Sequence, residues 1–432
     1  MPRRLPLFVL LLACGAEAAA PAPVTRPNEV QPLVETSPTA VEAAPPPRLL
    51  PTDLNGSSQE LEAEFATGSN ALSFSLFAHS PRGNVVLGGG SVAMALAMTW
   101  AGARGTTAAE LAACAGFGPN THAAVAGLLQ AYNEPSSPLF LANRLYMEET
   151  YNFEAEFGEL MRARYAAPFE PVDFRGASGA ARTTINDWVA SQTRGQIRDL
   201  LAPPAVSEAT RLVLVNATYF LGRWATPFDA RLTAERSFSV AEGSETDVPM
   251  MIQNAELGHA EIDGVQLVEL PYEGGRFSMV IVVPKARFGL HDVEMRLSPA
   301  QWTRWVGALS SGPTSLTLPR FEVRLAPSIS LVDTLQELGV ESAFDERAAD
   351  FQGMAQRLPS GAGLFVSDVL HQAFVRVDEA GTEAAAATAV VMGDGAAAPA
   401  PPFVVRADQP FLFFVRDIRS GLILFTGRVV AP

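Results

Sequence analysis

The side chains that most often carry chemistry are sparse in this sequence and do not cluster. The five histidines, His79, His122, His259, His291 and His371, stand far apart, without the paired spacing or flanking acids of a metal centre. Each reads as a structural residue, and neither a metal nor any other cofactor is expected. Gly-x-Ser-x-Gly, Ser-x-x-Lys, His-Glu-x-x-His and Gly-x-x-x-x-Gly-Lys, the strings that place a nucleophile, a zinc ion or a phosphate, do not occur. Gly88-Gly89-Gly90 stands where a strand gives way to a helix, a place where backbone amides can bind phosphate, but it lacks a neighbouring lysine or aspartate. The unusual stretch lies between Val375 and Pro410. Val375-Arg-Val-Asp-Glu379 alternates like a strand, then Ala380, Gly381, Thr382 and Glu383 lead into Ala384, Ala385, Ala386, Ala387 and Thr388, all small and uncharged. Met392 to Pro402 is mostly Gly, Pro and Ala with no anchor for packing, followed by two strand-like runs at Phe403 to Val405 and Phe411 to Val415. An exposed, protease-accessible loop is implied, although composition alone also suits a flexible connection in an alanine-rich protein.

Something must hold such a loop, and the composition says what. The chain has 432 residues, 48% of them hydrophobic and 18% charged, with a mean hydropathy of +0.15, which is ample material for a large core. The net charge of -15 would repel a phosphate backbone, so nucleic acid is excluded as a partner. Lys285 is the single lysine among 31 basic residues, an arginine bias that points to a GC-rich, bacterial source.

The N-terminus reads as an export signal. Arg3 and Arg4 precede the apolar run Leu5 to Ala13, too short to span a bilayer but suited to the middle of a secretory signal. Leu11-Leu12-Ala13-Cys14 resembles a bacterial lipoprotein box, with Cys14 as the lipidated residue and residues 1–13 removed. The alternative is an ordinary signal cut near Ala18 to Ala20. A lipid on Cys14 is the sole membrane contact expected, and the location is extracytoplasmic. Cys114 is then the one thiol of the body, so no internal disulfide can form. Residues 14–57, rich in Pro, Ala and Glu, read as a disordered tether.

From Ser58 onward the pattern is that of one α+β domain. Glu60 to Ser80 mixes helical spacings, and Ser91 to Ala101 is apolar on nearly every side, a helix that must be buried. Leu212 to Val215, Met279 to Val283 and Phe411 to Val415 are short, β-branched or aromatic runs of the kind found in central strands. Helices dominate the first half and strands the second, with no βαβ alternation.

Residues 377–388, Val-Asp-Glu-Ala-Gly-Thr-Glu-Ala-Ala-Ala-Ala-Thr, closely resemble the hinge of inhibitory serpins. Ile185-Asn-Asp-Trp-Val-Ala-Ser-Gln-Thr-Arg-Gly-Gln-Ile197, Leu214-Val-Asn-Ala-Thr-Tyr-Phe-Leu-Gly-Arg-Trp224, Val248-Pro-Met-Met251, Leu318-Pro-Arg-Phe321, Pro410-Phe411 and Gly427-Arg-Val-Val-Ala-Pro432 match that family in order. The resemblance implies the serpin fold over residues 58–432, mixed sheets with a helical first half and a reactive-centre loop over about 379–405. It also implies a suicide-substrate inhibitor of serine, or cysteine, endopeptidases. A protease cuts the loop, becomes acyl-linked, and is carried off as the loop inserts into the central sheet. Glu379, Arg320 and Trp224 are implied at the top of that sheet, and Ser91, Asn216 and His371 in the polar network that holds its strands shut. The family commonly has Ser-Pro where this chain has Gly88-Gly89. Asn216-Ala217-Thr218 fits a glycosylation acceptor, but in an apolar strand a buried role is favoured.

The family's usual count from Glu379 places the scissile bond at Gly395-Ala396, with Met392-Gly393 as the alternative by side-chain chemistry. Small residues suit an elastase-like or subtilisin-like pocket, and no Lys or Arg lies between Glu379 and Val405 to attract a trypsin-like one. A non-inhibitory serpin acting as a carrier or chaperone, and a secreted lipoprotein hydrolase or solute-binding protein, are the other readings.

Overall fold

The structure is a computed structural model that describes residues 49–167, 170–203, 205–382 and 401–432. The helices are α1 Gln59–Ala78, α2 Gly89–Gly102, α3 Gly105–Ala115, α4 Thr121–Tyr132, α5 Ala155–Tyr165, α6 Phe174–Gln192, α7 Leu290–Glu294, α8 Pro299–Ala308 and α9 Val332–Glu337. The first strands are β1 Val85–Leu87, β2 Leu139–Glu148, β3 Glu170–Val172, β4 Leu212–Phe220, β5 Ala234–Ala241, β6 Ser244–Ile262, β7 Val265–Pro271 and β8 Phe277–Pro284. After them come β9 Ser310–Pro319, β10 Phe321–Arg324, β11 Ile329–Ser330, β12 Asp368–Val377, β13 Phe403–Arg406, β14 Phe411–Asp417 and β15 Ile423–Val429.

Two sheets result. The larger runs β1-β15-β14-β8-β7-β6-β9-β13, with β5 on β6, and the smaller runs β10-β12-β4-β2-β3, with β11 on β12. In the smaller sheet β4 and β12 are parallel neighbours, while β2 and β10 flank them antiparallel. All nine residues of β4 are buried because both faces are covered. Val213, Val215 and Ala217 pack with Phe174, Ile185 and Val189 of α6, whereas Leu212, Leu214 and Phe220 belong to the main core with α1 and α2. This explains a run of apolar residues without alternation.

Helix α2 is buried over Gly89 to Thr99, as its all-round apolar sequence predicts. Helix α1 starts at Ser58, whose side chain accepts the Leu61 amide, and two acids sit in its first turn.

The packed chain begins before Ser58, which corrects the tether boundary at residue 57. Pro51 is buried, the Thr52 and Asp53 amides both donate to the Ala163 carbonyl, at 2.9 and 3.0 Å, and Asp53 pairs with Arg164 at 2.7 Å. Backbone hydrogen bonding, which leaves no periodic trace in sequence, binds this segment to α5. Cys14 and the remainder of the expected signal and tether lie outside the described residues.

Candidate functional site

Polar residues in the middle of an apolar sheet must satisfy one another, and four of them do. His371 of β12 lies level with Asn216 of β4, which lies level with Asn143 of β2, and Ser91 approaches from α2. His371 Nε2 accepts the Gly88 amide at 3.0 Å, so Nδ1 carries the proton and donates to Asn216 Oδ1 at 2.5 Å. Asn216 Nδ2 donates to Ser91 Oγ and Asn143 Oδ1, both at 2.6 Å, and Ser91 donates to Asn143 Oδ1 at 3.0 Å. Every partner is thereby matched with a neutral imidazole. Burial pushes the His371 ring down to about 3, and this relay fits that state. Asn216 is fully buried, as a packing role requires.

The Gly88-Gly89 pair now has a physical account. The backbone amide of Gly88 supplies the donor to His371. A Cβ there would meet Thr218 Oγ1 at 3.0 Å and His371 Cε1 at 3.2 Å, and one on Gly89 would fall 2.1 Å from Ser73 Oγ. Neighbouring side chains therefore occupy the space that larger residues would need. Asn143 was not singled out from sequence, although a lone asparagine at an inward position of Leu139–Glu148 was a usable signal.

At the end of β4 and β12 toward the loop, Trp224 is buried and stacks on Tyr272, with centroids 4.5 Å apart and planes at 16°. Its indole donates to the Asp378 carbonyl at 3.0 Å, its amide to Ala380 at 3.0 Å, and the Phe228 amide to Glu379 at 2.8 Å. Three consecutive carbonyls of the turn after β12 are thus held by one segment. Arg320 grips Glu379 through Nε at 2.9 Å and Nη2 at 2.6 Å, and Thr233 donates to the same carboxylate at 2.5 Å. Burial pushes the Glu379 carboxyl up, but the hydrogen bonds from Arg320 and Thr233 outweigh it and leave the group below its ordinary value. The Arg320 side chain is 46% exposed, so solvent screening holds the pair to about 1 kcal/mol. Trp224 packing is the stronger element of this closure.

The start of the hinge departs from expectation. Gly381 and Thr382 are buried instead of forming the root of an exposed loop. Thr382 bridges Val377 at the end of β12, and Gly381 bridges Arg223 just beyond β4. The Thr382 amide donates to the Gly222 carbonyl at 2.6 Å, and its hydroxyl meets the Tyr272 hydroxyl at 2.7 Å. Asp378 turns the chain by accepting the Ala380 amide at 2.9 Å. A Cβ at Gly381 would lie 2.1 Å from the Gly222 carbonyl oxygen, so the close backbone approach requires glycine. The loop expected over 379–405 is bounded more tightly, because Glu379 to Thr382 are packed and Phe403–Arg406 pairs with β9. Glu383, Ala384, Ala385, Ala386, Ala387 and Thr388, and both candidate bonds, Gly395-Ala396 and Met392-Gly393, lie outside the described residues. Tyr272 and Thr233 carried no sequence signal.

A family model described as Serpin (serine protease inhibitor) matches residues 67–432. The chain belongs to the serpin family. It is a protease inhibitor and not an enzyme. Human leukocyte elastase inhibitor is similar at 39% identity, over 84% of this serpin and 96% of that protein. Serpin B6 of Pongo abelii is similar at 38%, over 81% and 93%. Among solved structures, a tumour suppressing serpin matches with a TM-score of 0.77 at 26% identity, covering 86% of this chain and all of that one. Uncleaved ovalbumin matches at 0.75 and 28%, over 85% of this chain and 100% of its own. The mixed α+β serpin fold is therefore shared over nearly the full length of these proteins.

Proposed function

We infer that this serpin acts as a single-use trap for an elastase-like endopeptidase, closing on it by loop insertion between β4 and β12. One observation carries the reading: Thr382 bridges Val377 at the end of β12 and Gly381 bridges Arg223 just beyond β4. Because β4 and β12 are parallel, a chain returning from β12 runs antiparallel to each and can pair with both. Residues entering there must be small and uncharged on the inner face, since an unpaired charge would cost several kcal/mol to bury. Thr382, Ala384 and Ala386 meet that demand, and Glu383 falls on the opposite face. Roughly ten new ladder hydrogen bonds at about 1 kcal/mol each would release on the order of 10 kcal/mol, comparable to a whole domain's stability.

The names of the relatives, leukocyte elastase inhibitor among them, support an elastase-like target, and small residues around Gly395-Ala396 suit the narrow pocket of such an enzyme or of a subtilisin. A bacterial source rests on the arginine bias, and export with a lipid on Cys14 on the run Arg3 to Cys14.

The test is to mix the protein with elastase-like, subtilisin-like, chymotrypsin-like and papain-like proteases. The expected result is an SDS-stable adduct with a released C-terminal fragment whose mass identifies the bond. Thr382→Arg should convert the inhibitor into a substrate, because a guanidinium cannot enter the seat beside Tyr272. Cleavage without adduct across the whole panel would return the carrier or chaperone reading.

A further inference from the structure

On the face of the smaller sheet that α6 covers, Phe140 of β2, Tyr219 of β4, Phe374 of β12 and Arg324 of β10 are direct neighbours in register. They form one transverse row across four strands. Phe140 and Tyr219 have centroids 5.6 Å apart, and Tyr219 and Phe374 stack at 5.9 Å with planes at 21°. A cation closes each end: the Arg194 guanidinium lies 4.7 Å from the Phe140 ring and that of Arg324 lies 4.0 Å from Phe374. Arg324 also donates to the Gln196 carbonyl at 2.7 Å, tying the row to the segment after α6. The three rings are buried and form a small cluster separate from the two larger cores.

The row crosses the β4/β12 boundary, where two neighbouring strands lie about 4.8 Å apart; a strand between them would double that separation. A ring pair stacked at 5.9 Å cannot persist across such a gap. Continuing the two hinge bridges in register, one residue at a time, brings Ala385 level with Phe374 on one side and Tyr219 on the other. It would face the rings, and its methyl group leaves both in place on either side.

We propose that this row is a clasp on the insertion gap, held only while β4 and β12 are neighbours, so that Tyr219, Phe374 and Arg324 set how readily the hinge enters the sheet. The proposal rests on inhibition by insertion. These are positioning residues: they touch neither the protease nor the bait bond, and they act through the separation of two strands. In the intact protein the clasp adds stability that the cleaved, inserted form lacks.

The experiment compares thermal unfolding of Phe374→Val and of wild type, each intact and after nicking of the loop by a thermolysin-type metalloprotease, which forms no acyl-enzyme and cannot be trapped. The intact variant should melt about 2 °C lower, while the nicked variant should match nicked wild type within about 0.5 °C. The intact variant should also lose inhibitory activity about threefold to tenfold faster on mild warming, the loss expected for one aromatic pair. Arg324→Gln, which keeps every ring, should act in the same direction and more weakly, and it serves if Phe374→Val does not fold. Equal losses in the intact and nicked forms, or no loss in the intact one, overturn the clasp. If nicked wild type gains no stability over intact wild type, insertion itself is overturned, a distinct result.

Discussion

His371 shows how one buried ring sets a limit on the whole sheet. Its ordinary value near 6.5 is pushed down to about 3 by burial, and the relay through Asn216, Asn143 and Ser91 has a place for only one ring proton. Between those values the unfolded chain binds a proton that the folded one refuses, so stability falls as pH drops below about 6.5 and the loss is complete near 3. The full shift corresponds to a penalty on the order of 5 kcal/mol. His122, pushed down to about 4 by burial, adds in the same direction. Denaturant unfolding of wild type and His371→Gln at stepped pH should show the variant losing less stability between neutral and acidic conditions. Parallel curves would remove His371 as a source. Ser91, Asn216 and His371 were legible as a set through family resemblance, whereas Asn143 enters because strand register sets it level with Asn216, and the Gly88 amide because the start of α2 packs against His371.

At the scale of elements, the turn joining β12 to the hinge is held by carbonyls 378 to 380 on the Trp224–Phe228 segment and by the Arg320 to Glu379 pair. The two contacts differ in depth. Trp224→Ala should destabilise the intact protein by about 3 kcal/mol or more through the cavity it leaves, and Arg320→Ala by about 1 kcal/mol or less. Urea unfolding midpoints check this, and the reverse order would mean that the ion pair is the principal brake. The sequence read the buried α2 and the strands around Leu214, Ile281 and Phe413 correctly, since their apolar runs have one explanation each. The docking of Gly381 and Thr382 was not legible: small residues after a strand look the same whether they begin a free loop or fill a groove. The groove is made by Gly222, Arg223 and Tyr272, more than 100 positions upstream of Thr382.

For the whole molecule, the packed unit reaches back past Ser58, which separates what an N-terminal truncation should remove. Deleting residues 1–48 should leave Tm and inhibition unchanged, whereas deleting 1–57 should lower Tm by releasing Asp53 from Arg164 and the Thr52 and Asp53 amides from Ala163. Cys14→Ser in the full chain should keep inhibition and move the protein from the membrane to the soluble fraction. An unchanged Tm on the longer deletion would restore the tether boundary at residue 57, and an unchanged distribution would discard the lipid. By itself the sequence determined the family, the α+β class and the run of small residues after Gly381, because each follows from residue type and order along the chain. The tertiary structure alone decided that Gly381 and Thr382 bridge Arg223 and Val377 just past the last paired residues of β4 and β12, that Gly88 donates to His371, and that an aromatic row spans the boundary between those strands. Those contacts join residues far apart in the chain that meet only when the strands take their register and α2 packs on the sheet, and both are set by packing on the two faces of the sheet at once.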